Sequence, residues 1–150
     1  MLRNAVLACV LLAVAVLPVA AEIPAMVPPL HWAARYGQVE IARMLIASGT
    51  KVDSVDALGR TPLHVGVEHP EIVELLLESG ASVDPLDSFH NTPLHRAVRF
   101  RRSVELLLEY GADVSVKNAF RKTPLELSMR NGASRRNVAI IQLLIAAGAQ

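Results

Sequence analysis

One four-residue phrase recurs through this chain and limits what it can fold into. Thr61-Pro62-Leu63-His64 returns as Thr92-Pro93-Leu94-His95 and as Thr123-Pro124-Leu125-Glu126, and it is preceded by Pro28-Pro29-Leu30-His31. The starts at 28, 61, 92 and 123 are spaced by 33, 31 and 31. A second phrase keeps step: "MLIASG" at 44–49, "LLLESG" at 75–80, "LLLEYG" at 106–111 and "LLIAAG" at 143–148. A third follows it: "TKVDSVD", "ASVDPLD" and "ADVSVKN". Three phrases in register at a period near 33 mark a repeat array, whose units bury their apolar faces only by stacking.

Each unit reads as two helices and a loop. Proline in a first helical turn costs nothing, because its missing N–H would be unpaired there, and threonine before it is a good N-cap. "TPLHVGVE" is therefore a short helix. In "PEIVELLLESG", Ile72, Val73, Leu75, Leu76 and Leu77 lie mainly on one face and Glu71, Glu74 and Glu78 opposite, the pattern of an amphipathic helix. Gly80 supplies the left-handed residue that stops it, with Gly49 and Gly111 in the same place in neighbouring units. "ASVDPLDSFHN" is then an extended, turn-rich connection.

The pattern resembles the ankyrin repeat family. "LHWAARYGQVEIARMLIASG", "TPLHRAV" and "VELLLEYGADV" are close to that family's consensus, and the resemblance covers about 27–149. It implies an all-α solenoid of four helix–turn–helix repeats with projecting hairpin loops, at about 27–58, 59–89, 90–120 and 121–150. The first and last units are expected to act as end caps. The resemblance also implies that the Thr hydroxyl and His ring of each phrase tie the first helix to neighbouring backbone. His31, Thr61, His64, Thr92 and His95 are then structural. Three departures carry expectations of their own. Units two and three are two residues short between their helices ("VEHPEIV" and "VRFRRSV"), which calls for tighter turns, whereas unit four is about four residues long there. His90 and Arg121 replace the glycine found at Gly59. A non-glycine residue in a left-handed turn costs roughly 1 kcal/mol, so those loops are expected to be shaped differently. Glu126 replaces the last histidine.

The first residues belong to a different account. Arg3 is followed by thirteen apolar residues from Ala5 to Leu17, then Pro18, with Val19 and Ala21 as the small residues before a cut. This is the layout of a secretory signal peptide over 1–21, cleaved between Ala21 and Glu22. Thirteen residues fall short of the roughly 20 that span a bilayer as a helix. An uncleaved anchor is the other reading. The domain at 22–150 is then exported, periplasmic or secreted, with no transmembrane segment after cleavage. It retains 14 basic and 14 acidic residues and no cysteine, because Cys9 lies in the leader. Disulfides, a thiolate nucleophile and a Cys-based zinc site are absent from it.

Catalytic signatures are missing from the mature chain: it has no nucleophile elbow, phosphate-cradling glycine loop, HExxH or clustered acid pair. His69 and His90 read as isolated loop residues. The histidines of the repeated phrase lie a repeat apart, too far for one metal ion to bridge. No cofactor or metal is expected.

The loops are more informative. Leu58, Phe89 and Phe120 occupy one place in three successive units, spaced by 31 and 31, so stacking aligns them along one edge. They either pack on their own loops or form a stripe for a partner. Arg60, Asn91 and Lys122 flank them, and the inner helices contribute Arg35, Tyr36, Glu68, Arg99, Phe100 and Arg130. By resemblance, tips and inner helices together form the concave binding surface. Charge is polarised: eight acids and one base lie between Asp53 and Asp87, and six bases and one acid between Ser115 and Gln150. These are either solvated faces or, at the C-terminal half, a match for an acidic protein partner. Nucleic acid is not expected, because the basic residues do not share one face. The leading expectation is a monomeric, non-catalytic, exported adaptor or scaffold that binds a protein. An inhibitor or immunity-type protein that binds one toxin or enzyme is the alternative, and a metal-binding protein or enzyme the remote one.

Overall fold

A computed structural model describes residues 27–130 and 135–149, the side chains of 135 and 136 excepted. The expected leader and its cleavage site lie outside the described residues. Eight helices are described: α1 Pro29–Arg35, α2 Val39–Ala47, α3 Pro62–Val65, α4 Pro70–Glu78, α5 Pro93–Ala97, α6 Arg101–Glu109, α7 Pro124–Arg130 and α8 Arg135–Ala146. The odd-numbered helices pack in sequence as an inner row, the even-numbered as an outer row, and each pair packs on itself. No strand occurs among the described residues.

The sequence dictates where each helix begins. Pro62 and Pro93 open α3 and α5 after Thr61 and Thr92, whose extended backbone and side chains form the cap. The Thr123 hydroxyl accepts the Glu126 N–H at 3.3 Å at the start of α7. The outer helices bury the residues that the amphipathic pattern assigns to one face, including Leu45, Leu76, Leu107 and Leu144. With Leu30, Leu63, Leu94 and Ile140 they form a continuous aliphatic core. Each outer helix is followed by a glycine at positive φ, Gly49 at 89°, Gly80 at 85°, Gly111 at 84° and Gly148 at 97°. A Cβ on any of the four would meet nothing within 4 Å, so the backbone angle alone demands glycine there.

Two expectations are corrected. The residues missing from units two and three come out of the inner helices and not out of the turns. α3 has four residues and α5 five, where α1 and α7 have seven. The links of 66–69 and 98–100 are no shorter than that of 36–38. The outer helices cannot shift register without pulling leucines from the core, so the deletion is absorbed at the free C-terminal end of the inner helix. Gly66 permits this in unit two, since a Cβ there would lie 2.7 Å from Ile72 Cγ2. Nor are the second and third hairpins shaped differently. His90 at φ 57° and Arg121 at φ 58° adopt the left-handed conformation of Gly59 at 68°. Their strain is outweighed by the hydrogen bonds described in the next subsection.

The repeated phrase builds the joint between units. The backbone N–H of Thr61 donates to His64 Nδ1 at 3.1 Å, and that of Thr92 to His95 Nδ1 at 3.1 Å. With Nδ1 accepting, each ring carries its proton on Nε2. His64 Nε2 donates to the carbonyl of Asn91 at 2.9 Å and His95 Nε2 to that of Lys122 at 3.0 Å. His31 Nε2 reaches the Arg60 carbonyl at 2.6 Å. Each inner helix is thereby fastened to the hairpin that leads into the next unit. His31 differs in one respect: Pro28 stands in place of threonine and has no N–H, leaving the buried Nδ1 without a partner. The Glu126 side chain has no N–H to donate in the same direction and pairs instead with the Lys122 ammonium at 2.9 Å.

Burial lowers all three histidine pKa values below the ordinary 6.5, with the carbonyl bonds opposing it only in part. A depressed histidine pKa means that the unfolded chain binds the proton first. This contribution to stability is present above pH 6.5 and is lost as pH falls from there through the lowered folded values. The melting temperature is therefore expected to be flat above about pH 7 and to fall as the pH drops below 6.5. His95→Gln should lower it at pH 7.5 and flatten the slope. Pro28→Thr supplies the missing N–H and hydroxyl to His31 and should add about 1 kcal/mol in denaturant titration. Leu94→Ala, which empties a fully buried site, should remove about 2–5 kcal/mol in the same measurement.

Candidate binding surface

Each hairpin is framed by one side chain. Asp56 Oδ1 accepts the N–H groups of Leu58 and Arg60, both at 2.9 Å. Asp87 Oδ1 accepts those of Phe89 and Asn91 at 2.8 and 2.9 Å. Asn118 Oδ1 accepts those of Phe120 and Lys122, both at 3.0 Å. The frame residue also bonds through its own backbone to the residue four places on, Asp56 N–H to Arg60 O, Asp87 to Asn91 and Asn118 to Lys122, each at 3.0 Å. Successive hairpins are linked by Ser88 N–H to Leu58 O at 3.0 Å and by Ala119 N–H to Phe89 O at 2.9 Å. The tips thus stand on a rigid, hydrogen-bonded ladder. The three frame residues were missed in the sequence, although their spacing of 31 and 31 is the same as that of the tips.

Burial pushes the Asp87 carboxyl up. The Arg96 guanidinium at 2.7 Å and the N–H groups of Asn91 and Phe89 outweigh it and hold the pKa below the ordinary carboxylate value. Asp56 behaves likewise: burial opposes ionisation, and the Arg60 guanidinium, 2.6 Å away, with two N–H groups prevails. Both frames are therefore charged and locked at neutral pH.

On this ladder Leu58, Phe89 and Phe120 are all exposed, Phe120 most of all at 70%. They do not pack into the core. Val55 and Leu86, three residues earlier in the first two hairpins, are also exposed and widen the stripe, and Lys117 takes that place in the third. Those positions also went unremarked in the sequence. The flanking residues have internal work: Arg60 pairs with Asp56, Asn91 Oδ1 accepts from Asn118 Nδ2 at 2.9 Å, and Lys122 pairs with Glu126.

Beside the ladder lies a cleft of about 670 Å³ lined by Arg35, Tyr36, Arg60, Glu68, Phe100 and also Val65, His69 and Arg96. His69 seats there because Gly37, at φ 65°, offers no Cβ: one would lie 2.7 Å from the imidazole. Five residues expected at the surface are thus brought together. Arg99 lines a neighbouring hollow of about 480 Å³ with Glu68 and Phe100. Arg130 is exposed on α7 and reaches neither. Among the described residues no group of three or more His, Cys, Asp or Glu could hold a metal ion, and no helix is long and apolar enough to cross a membrane. The geometry offers a row of apolar knobs on a fixed edge and a polar cleft with aromatic walls. The hydroxyls of Thr61 and Thr92 lie 3.0 and 2.9 Å from His64 Nδ1 and His95 Nδ1, but all four residues are buried in the joint between units.

Comparison with known families agrees with this geometry. The family model described as Ankyrin repeats (3 copies) matches residues 24–87, and that described as Ankyrin repeat matches 89–119. None of the curated proteins compared matches the chain. Ankyrin repeats are generally protein–protein interaction modules and are typically not catalytic. The chain, matched over most of its length and stacked as paired helices with projecting hairpins, belongs to the ankyrin repeat family.

Proposed function

We propose that this protein is an exported, non-catalytic binding protein, an adaptor or scaffold, that holds a protein partner along its hairpin tips. The observation that carries the reading is the stripe of Val55, Leu58, Leu86, Phe89 and Phe120, exposed on a hydrogen-bonded ladder. Exposed large apolar side chains held rigidly lose little entropy when covered, and such residues dominate binding energy. At the third hairpin Lys117 and Arg121 are exposed and form no ion pair among the described residues. The partner is accordingly acidic where it meets Phe120. An inhibitor of one enzyme or toxin is the second reading. The cleft beside the stripe supports it, because a projecting loop of a single target would fill about 670 Å³.

Phe89→Ala and Phe120→Ala should each weaken capture of the partner by about tenfold or more, while folding stability stays within about 0.5 kcal/mol. Unfolding by both variants would make the stripe part of the core and remove the reading. Capture from an envelope extract, followed by an activity assay of whatever is captured, separates adaptor from inhibitor: only an inhibitor silences its partner in a one-to-one complex. For export, the mass of the protein recovered outside the cytoplasm should correspond to a chain that begins at Glu22. Retention inside at full length would remove that part.

A further inference from the structure

A second row runs in register with the hairpin tips. It consists of the residue six places after the proline that opens each inner helix: Arg35, Glu68, Arg99 and Arg130. All four are exposed, and none forms an ion pair among the described residues. In the first three units the next residue carries a ring: Tyr36, His69 and Phe100. Each ring is braced. Tyr36 leans on Trp32, with ring centroids 5.2 Å apart. His69 sits over Gly37, and its Nε2 donates to the Arg35 carbonyl at 3.2 Å. Phe100 packs against the aliphatic core.

Arg35, Tyr36, Glu68, His69 and Phe100 line the cleft of about 670 Å³, and Glu68, Arg99 and Phe100 line the hollow of about 480 Å³ beside it. Glu68 and Phe100 belong to both, so the two make one groove across three units. Arg60 and Arg96 also face the cleft, but Asp56 and Asp87 answer their charges at 2.6 and 2.7 Å. The charges left open along the groove therefore run plus, minus, plus, over a floor of fixed rings.

We propose that the groove receives an extended segment of the protein partner whose charges run acid, base, acid. The acids meet Arg35 and Arg99, the base meets Glu68, and apolar side chains between them lie on the rings. This rests on the reading that the chain binds a protein, and it is independent of the hairpin stripe. The inner helices of successive units pack on one another. Packed helices lie ~8–10 Å apart and an extended chain advances ~3.3 Å per residue, so the partner's charges fall about three residues apart. The order of signs selects the class of occupant. A polyanion such as nucleic acid or an anionic lipid surface is repelled by Glu68 in the middle of the row. Exposed charge pairs add little affinity, whereas a contact of the wrong sign is penalised, so the row chooses among segments and the rings supply the area.

Fluorescence polarisation of short labelled peptides with the full protein tests this. Asp-Leu-Ala-Lys-Leu-Ala-Asp should bind about tenfold or more tighter than the inverted Lys-Leu-Ala-Asp-Leu-Ala-Lys, and tighter than the peptide with Asp at all three charged places. Glu68→Lys should turn the preference to the all-Asp peptide, with circular dichroism and melting unchanged. Binding of none of the peptides, or of all equally, would overturn the proposal. So would tightest binding of the all-Asp peptide by the unaltered protein, which would make the row a plain basic surface for polyanions. A preference that survives Glu68→Lys would place the peptide elsewhere and overturn it as well. Self-association that Glu68→Lys abolishes, in place of peptide binding, would put a second copy in the groove, against the proposal. Capture of a partner that depends on Phe89 and Phe120 is untouched by any of these results, so failure of the groove and failure of the stripe are told apart.

Discussion

The structure depends on one hydrogen bond made three times, from a histidine Nε2 to the carbonyl that closes the next hairpin. It joins three levels of organisation. In the second and third units the threonine that caps the inner helix also fixes the histidine tautomer. The tautomer aims a donor across the joint, and the carbonyl it reaches belongs to Arg60, Asn91 or Lys122, the last residue of each framed turn. Aliphatic packing supplies most of the stabilisation, as it must in a chain with so few aromatics, but packing of leucine on leucine does not set an orientation. The histidine bonds do, and with them the direction in which the hairpins project.

Most of the fold could be read from the sequence because the repeat displays it several times over. A proline after a threonine, a leucine face and a terminal glycine each have a local physical meaning, and recurrence removes the ambiguity of any single instance. The places where the reading failed are those where local rules compete. Deletion between helices was assigned to the turns, which are the softer elements, but the leucines of the outer helix hold their register and the inner helix shortens. The left-handed cost at His90 and Arg121 was real, yet Asp87 and Asn118 each accept two backbone N–H groups across the turn and hold the shape. A penalty of one residue is visible in a sequence, and the bonds that offset it belong to a neighbour three places away.

The candidate surface was legible in outline. The row of Leu58, Phe89 and Phe120 follows from spacing alone, whereas Arg35, Tyr36, Glu68 and Phe100 are brought together by the family resemblance. The division of labour at the tips does not follow. Arg60, Asn91 and Lys122 vary in type as binding residues do, and each is engaged within the protein. Val55 and Leu86 stand outward with no sequence mark beyond their period. Arg96 enters the cleft from the position that Val65 fills one unit earlier, and the reason is its partner, Asp87.

The framed turns have a consequence for change over time. Every bond that shapes a hairpin runs through backbone groups or through the frame side chain at 56, 87 or 118. The side chains of residues 58, 89 and 120 take no part in it. Each tip is therefore a socket whose contents can be exchanged without disturbing the wall. On the binding role proposed for the tips, specificity can be rewritten one residue at a time, at three addresses a fixed interval apart, while the array that carries them stays the same.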